Sequence, residues 1–273
     1  MTRSTKSIKA LAKQGFAIES MGEFGFGLVI DESSKIQSEN LECLQAIADI
    51  TFAQIFCDVL DHELPLILEV MPSLKVLRLE SCESTTDGIA DAWGNSKDLV
   101  ELELREAMLS DIFLKTNNLP SSIRSLSLNG SQVSDHGIRA AISQFKDLRW
   151  LSVKRTNLTD KSVSELSKVK SLAGVDLDGC KAISDKVFAH LAKFKKLQLV
   201  NLAGTDEVAQ TSWARQHLIL GACKRISLEP RWPNGSQNQP SDPGAALPKS
   251  LNKKPSRWYS TGILRLLSLG ISA

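Results

Sequence analysis

The sequence predicts an α/β solenoid with a parallel sheet on its concave side and helices on its convex side. Two periodicities running in phase predict it. The first is an apolar-x-x-apolar-x-apolar pattern that begins at Leu74, Leu99, Ile123, Leu148, Leu172 and Leu197, with starts alternately 25 and 24 residues apart. The second is a Ser/Thr-Asp pair in each of the first five units: Thr86-Asp87, Ser110-Asp111, Ser134-Asp135, Thr159-Asp160 and Ser184-Asp185. A fixed period of this length marks stacked supersecondary units.

Each part of the unit has a physical reading. The last two apolar positions, such as Leu77 and Leu79, alternate with period two and read as a short strand. The Ser or Thr can accept from an orphan N–H at a helix start, and the adjacent Asp complements the positive end of the helix dipole. Apolar residues at helical spacing follow, as in Ile138, Ala141 and Ile142 or Val163, Leu166 and Val169. Every unit therefore reads as strand, turn, capped helix and return loop, and these aspartates are structural rather than catalytic. A single unit cannot bury its own apolar face, whereas stacked units make a continuous core. Helices are about 10 Å wide and strands about 4.8 Å apart, so the stack curves with its sheet inside.

Weaker units extend the array outward: Ile50, Ala53 and Ile55; Leu28 and Ile30 in a unit starting at Gly25; and Cys223, Ile226 and Leu228 in a final strand. Degenerate outer units are expected where the core is capped. The expected organisation is an N-terminal cap at 1–24, a solenoid of about eight units plus a final strand at 25–228, and a tail at 229–273. In the cap, Ile8, Leu11 and Ala12 predict a short helix. Phe16 and Ile18, followed by Phe24, Phe26, Leu28 and Ile30, predict a hairpin leading into the first repeat.

The chain of 273 residues is 42% apolar, enough to build a core and against wholesale disorder. Its formal charge of +2 conceals an asymmetry, because six basic residues face one acid, Asp242, from Arg231 onward. The tail begins with a Pro-, Ser- and Gly-rich run that reads as a disordered linker. It ends with apolar Trp258, Tyr259, Ile263, Leu264, Leu266, Leu267, Leu269 and Ile271 behind the basic Lys253, Lys254 and Arg257. That end is a candidate for weak contact with a membrane surface, and an alternative function is a tether whose tail binds a membrane surface or anionic polymer.

Five cysteines, an odd number without a CxxC pair, predict reduced and mostly buried thiols. The N-terminus lacks a signal-peptide apolar core. No stretch approaches the ~20 apolar residues that span a bilayer. The cytoplasm is the expected compartment.

The unit from Leu172 to Lys196 resembles the cysteine-containing leucine-rich repeat, with Cys180 in its loop position. Cys82 takes the same place in its own unit, while Ser131, Thr156 and Ala107 replace it elsewhere, as in short bacterial leucine-rich repeats. The resemblance covers roughly residues 25 to 228 and implies a leucine-rich-repeat horseshoe. Residues before it resemble the N-terminal cap of such proteins. The family spans ubiquitin-ligase adaptors, signalling regulators and bacterial scaffolds. No F-box-like segment precedes the repeats, which speaks against an adaptor role.

Between the inward apolar positions, three columns face the concave surface. They read Phe52, Val76, Glu101, Ser125, Trp150, Gly174, Leu199; then Gln54, Arg78, Glu103, Ser127, Ser152, Asp176, Asn201; then Phe56, Glu80, Arg105, Asn129, Lys154, Asp178, Ala203. The candidate protein-binding set is Phe52, Val76, Arg78, Glu101, Glu103, Arg105, Trp150, Ser152, Lys154, Asp176 and Asp178. Trp150 stands out because interface hot spots are enriched in Trp, Tyr and Arg. No GxGxxG, GxxxxGK[ST], GxSxG or HExxH motif occurs, and His62, His136, His190 and His217 fall in or beside convex helices. The expectation is a non-enzymatic, monomeric scaffold for a protein partner, without cofactor, metal or specific nucleic-acid signal.

Overall fold

The computed structural model describes residues 3–47, 49–205 and 225–227. Helix α1 (Arg3–Ala12) leads into strand β1 (Phe16–Ser20), a 3-10 turn (Gly22–Phe24) and strand β2 (Phe26–Ile30). Strands β3 (Ile50–Ile55), β4 (Val76–Leu79), β5 (Glu101–Leu104), β6 (Ser125–Ser127), β7 (Trp150–Ser152), β8 (Gly174–Asp176), β9 (Leu199–Asn201) and β10 (Arg225–Ser227) follow one per unit. Among the described residues they form one ten-stranded sheet in strict chain order. β1 and β2 pair antiparallel, with Phe16 opposite Ile30, and every later pairing is parallel. The chain is thus an open α/β solenoid of the leucine-rich-repeat type, with a hairpin at its N-terminal edge.

Opposite the sheet lie α2 (Ser38–Gln45), α3 (Glu63–Glu69), α4 (Asp111–Lys115), α5 (Asp135–Ala141), α6 (Asp160–Leu166) and α7 (Val187–Leu191). The unit after β4 carries a 3-10 helix (Asp87–Asn95) where an α-helix was expected. Gly88 and Gly94 within it weaken α-helical propensity. The three apolar positions of each unit are sealed into a single core, from Leu74, Leu77 and Leu79 to Leu197, Val200 and Leu202. Each such side chain contributes roughly 1.5–3 kcal/mol by leaving water.

The loop position occupied by Cys82, Ala107, Ser131, Thr156 and Cys180 is buried in every one of these units, and Thr205 extends the column. Ser131, Thr156 and Thr205 donate from their hydroxyls to the carbonyls of Leu128, Val153 and Leu202 at 2.8, 2.7 and 2.7 Å, and Cys180 donates from Sγ to the Val153 carbonyl at 3.1 Å. A small side chain fits this slot and any donor it carries finds a carbonyl, which explains the exchange of Cys, Ser, Thr and Ala.

Four of the Ser/Thr-Asp pairs cap as expected; the fifth, Ser184-Asp185, makes the same backbone bond but precedes α7, whose N-cap is Lys186 without a side-chain cap. Thr86, Ser110, Ser134, Thr159 and Ser184 accept from the N–H groups of Gly88, Ile112, His136, Lys161 and Lys186 at 3.2 to 3.3 Å. The Asp does more than complement its own helix. Asp87 accepts from the backbone N–H and hydroxyl of Ser110 in the next unit at 2.9 and 2.5 Å. Asp111 does the same for Ser134, Asp135 for Thr159 and Asp160 for Ser184. Asp61, which lacks the preceding Ser/Thr and was absent from the expected series, accepts from Thr86 in the same way. Each Ser or Thr therefore relays between its own helix start and the carboxylate of the unit before.

Phe24 was expected to alternate within the hairpin but lies in the 3-10 turn, 38% exposed. Gly22 and Gly25 take positive φ on either side of it, and a Cβ at Gly25 would overlap the Asp49 carbonyl oxygen, so the chain must turn there rather than extend. The expected tail at 229–273 lies outside the described residues.

Candidate partner-binding face

Parallel register carries the expected columns across the sheet. Phe52, Val76, Glu101, Ser125, Trp150, Gly174 and Leu199 are successive Cα partners, as are Gln54, Arg78, Glu103, Ser127, Ser152, Asp176 and Asn201. Because side chains alternate across a strand, burying Leu77 and Leu79 obliges Val76 and Arg78 to face the other way.

At the N-terminal end of the face, Phe52 and Val76 form a separate buried pair against which Met21, Val29 and Val100 pack. The Arg78 guanidinium lies 5.6 Å from the Phe52 ring centroid. The same guanidinium holds Glu101 at 2.6 Å and reaches Glu103 at 3.6 Å. Arg105 holds Glu80 at 3.0 Å and Glu103 at 3.2 Å, and Gln54 donates to Glu80 at 3.1 Å. Burial works against the Arg78 charge, but the carboxylates of Glu101 and Glu103 outweigh it and hold the guanidinium above its ordinary range. For Glu80, burial and the Glu103 charge raise the carboxyl against the pull of Arg105.

On the C-terminal side, Lys154 pairs with Asp176 at 3.1 Å. Asn129 accepts from the Ser152 hydroxyl at 2.8 Å and from the Lys154 N–H at 2.9 Å. Asp178 is raised by burial, with Lys154 opposing and Asp176 adding to the rise. Trp150 is 6% exposed, and a Cβ on Gly174 would overlap its Cε3 and Cζ3 atoms. Its ring leans onto the next strand, in the one place along that column where the neighbour has no side chain.

The structure thus gathers Phe52, Val76, Arg78, Glu101, Glu103 and Arg105 into one cluster and Ser152, Lys154, Asp176 and Asp178 into another, with Trp150 between them. Gln54, Glu80 and Asn129 complete these clusters although the candidate set omitted them. Their signal was membership of the same columns as Arg78 and Arg105. A fourth column lies beside these three. Lys75, Val100, Arg124, Arg149, Ala173 and Gln198 run along the edge where the chain enters each strand, with Ala173 N–H donating to Arg149 at 2.8 Å and Gln198 N–H to Ala173 at 2.7 Å.

Among the described residues, His62, His136 and His190 lie at or in convex helices, no group of three His, Cys, Asp or Glu side chains could hold a metal ion, and no helix is long and apolar enough to cross a membrane. Cys57, Cys82 and Cys180 are buried and free. Burial pushes the Cys57 thiol up to about 11 and raises Cys82 and Cys180 as well. The thiolate is the reactive form. Native protein at pH 7.5 is therefore expected to take maleimide at the half-buried Cys43, with Cys57, Cys82 and Cys180 at least ~100-fold slower until the chain is unfolded. Peptide mapping of the labelled protein checks this, and rapid native labelling of Cys82 or Cys180 would contradict it. Cys223 lies outside the described residues.

No family model matches the chain, and no curated protein matches it. Among solved structures it is similar to internalin C2 from Listeria monocytogenes, at 17% identity over 74% of this chain and 79% of that one, with a TM-score of 0.46. The class of the fold, a leucine-rich-repeat-type solenoid, stands on the strand order and the unit register described above.

Proposed function

We propose that the protein is a non-enzymatic scaffold that binds a protein partner on its concave sheet face. The observation that carries this reading is the continuous set of in-register columns, in which two clusters of ordered charged side chains flank a strand of small residues, Ser125 and Ser127. Ordered charges of this kind supply orientation and selectivity toward a partner more than raw affinity. The units read as the cysteine-containing type, on Cys82 and Cys180, and buried free thiols support a reducing, cytoplasmic setting.

The test is affinity capture with the full chain, comparing wild type with an Arg105→Glu/Lys154→Glu variant. The Arg105 side chain is 41% exposed and the Lys154 side chain 15%, and both lie on the sheet face outside the apolar core, so the exchange alters the charge of the face and leaves the core residues in place. The expected result is a partner retained by wild type and lost from the variant, with unchanged circular dichroism. An identical set of captured proteins from both would overturn the concave-face assignment.

A further inference from the structure

The edge at which the chain enters each strand carries a strongly uneven charge. Its loops before β3, β4 and β5 hold Asp49, Lys75, Lys97 and Asp98, a balance, and the loop before β6 holds Arg124. Over the last three described units the same edge presents six exposed lysines, Lys146, Lys168, Lys170, Lys193, Lys195 and Lys196, against Asp147. Glu165 pairs with Lys168 alone, at 2.6 Å. Formal charge of the whole chain is only +2, so this concentration is local.

The lysines are also in register. Lys146, Lys170 and Lys195 each stand three residues before Arg149, Ala173 and Gln198, whose backbones are hydrogen-bonded in succession. The Ser171 hydroxyl donates to the Lys146 carbonyl at 2.9 Å, tying two adjacent loops together. Strands step by about 4.8 Å and packed helices by about 8–10 Å, so the lysine row advances by a step between those limits per unit. A regular line of point charges fits a linear polymer whose own charges are regularly spaced. Duplex nucleic acid is such a polymer, with one phosphate per ~3.4 Å of helix axis on each strand.

The geometry points to a second binding surface, separate from the concave face: this lysine edge docks the phosphate backbone of duplex nucleic acid without reading its sequence. Base readout needs Arg, Asn or Gln forks or stacking aromatics, and the six lysines supply point charges instead. Among the described residues the large exposed apolar side chains, Phe24, Leu60, Leu66, Met108 and Ile112, all lie elsewhere, so the described part of this edge offers no large apolar side chain to a bilayer.

Fluorescence anisotropy of the full chain with a labelled random-sequence 30-base-pair duplex between 25 and 200 mM salt tests this. Micromolar-range binding at low salt is expected, weakening steeply as salt rises. The Lys146→Glu/Lys170→Glu/Lys195→Glu variant is expected to bind at least ~10-fold more weakly, with the slope of log K against log salt shallower by about 3. Lys161→Glu/Lys186→Glu, at the opposite, N-terminal ends of α6 and α7, is expected to leave binding unchanged. No binding at 25 mM salt would overturn the proposal, as would equal binding by wild type and the triple variant, which would place the contact in the basic tail. Tighter, lysine-dependent binding to vesicles with 30% phosphatidylserine, or to polyglutamate, would reassign the edge to a membrane or an acidic protein and overturn it too. Partner capture by the concave face is read separately and is expected to survive the triple variant.

Discussion

Arg78→Met is expected to destabilise the fold by about 3–5 kcal/mol, because it leaves a buried carboxylate without its cation. The Glu101 side chain is 4% exposed and its partner guanidinium 11% exposed, at 2.6 Å. With Arg78 gone, Glu101 has no second cation, since Arg105 is engaged by Glu80 and Glu103. Met retains much of the apolar stem beside Phe52, so the loss reports on charge rather than volume. The companion variant Arg78→Met/Glu101→Leu removes both charges and is expected to recover to within ~1–2 kcal/mol of wild type, as replacement of a whole buried pair often does. Urea unfolding of the three proteins measures both differences. A single-variant loss below ~1 kcal/mol would mean that Glu101 regains water easily and that the pair is a surface contact. The same experiment bears on function, since a rigid pair of this kind presents Glu103 and Arg105 to a partner in one fixed arrangement.

How much of this was legible without coordinates depended on distance along the chain. The buried positions were, because Leu77, Leu102, Leu126, Leu151, Val175 and Val200 recur at one period and all end in the core. The concave columns followed, since alternation leaves no other place for Arg78 or Glu103. Which acid meets which base was not legible: Arg78 reaches forward to β5, whereas Arg105 reaches back to Glu80, and rotamers across neighbouring strands decide that. Trp150 read as a hot-spot candidate on the concave face, and Gly174 in the same column marks where its ring lies down. The aspartates were assigned to their own helices because a helix cap is a local idea, while their strongest contacts lie 23 to 25 residues away. Asp61 was missed for the same reason, having no Ser or Thr before it. The 3-10 helix at Asp87–Asn95 had its signal in Gly88 and Gly94, which a search for apolar spacing passes over.

That relay of aspartates carries the second large effect. Asp135→Ala is expected to cost about 2–3 kcal/mol, less than the sum of its bonds because the site is partly open to water. Asp135 accepts from the Thr159 N–H at 2.9 Å, from the Thr159 hydroxyl at 2.6 Å and from the Ser162 hydroxyl. Alanine strands all three donors and releases the hydroxyl that caps α6. In a solenoid each unit touches only its neighbours, so the damage falls on the junction between the unit begun at Ile123 and the one begun at Leu148. Hydrogen exchange is expected to quicken there while β3 and β4 stay protected. The pH dependence has a defined sign. Burial pushes the Asp135 carboxyl up, but hydrogen bonds from Ser162 and Thr159 outweigh it and leave it below its ordinary value of 3.8. A carboxyl lowered by folding stabilises fully above its unfolded pKa and loses that contribution as pH falls toward the folded one. The difference between wild type and Asp135→Ala should therefore be level from about pH 5 to 8 and shrink below about pH 4. A difference that persists undiminished at pH 2 would show that the charge on Asp135 is incidental and that a neutral acceptor holds the units together equally well.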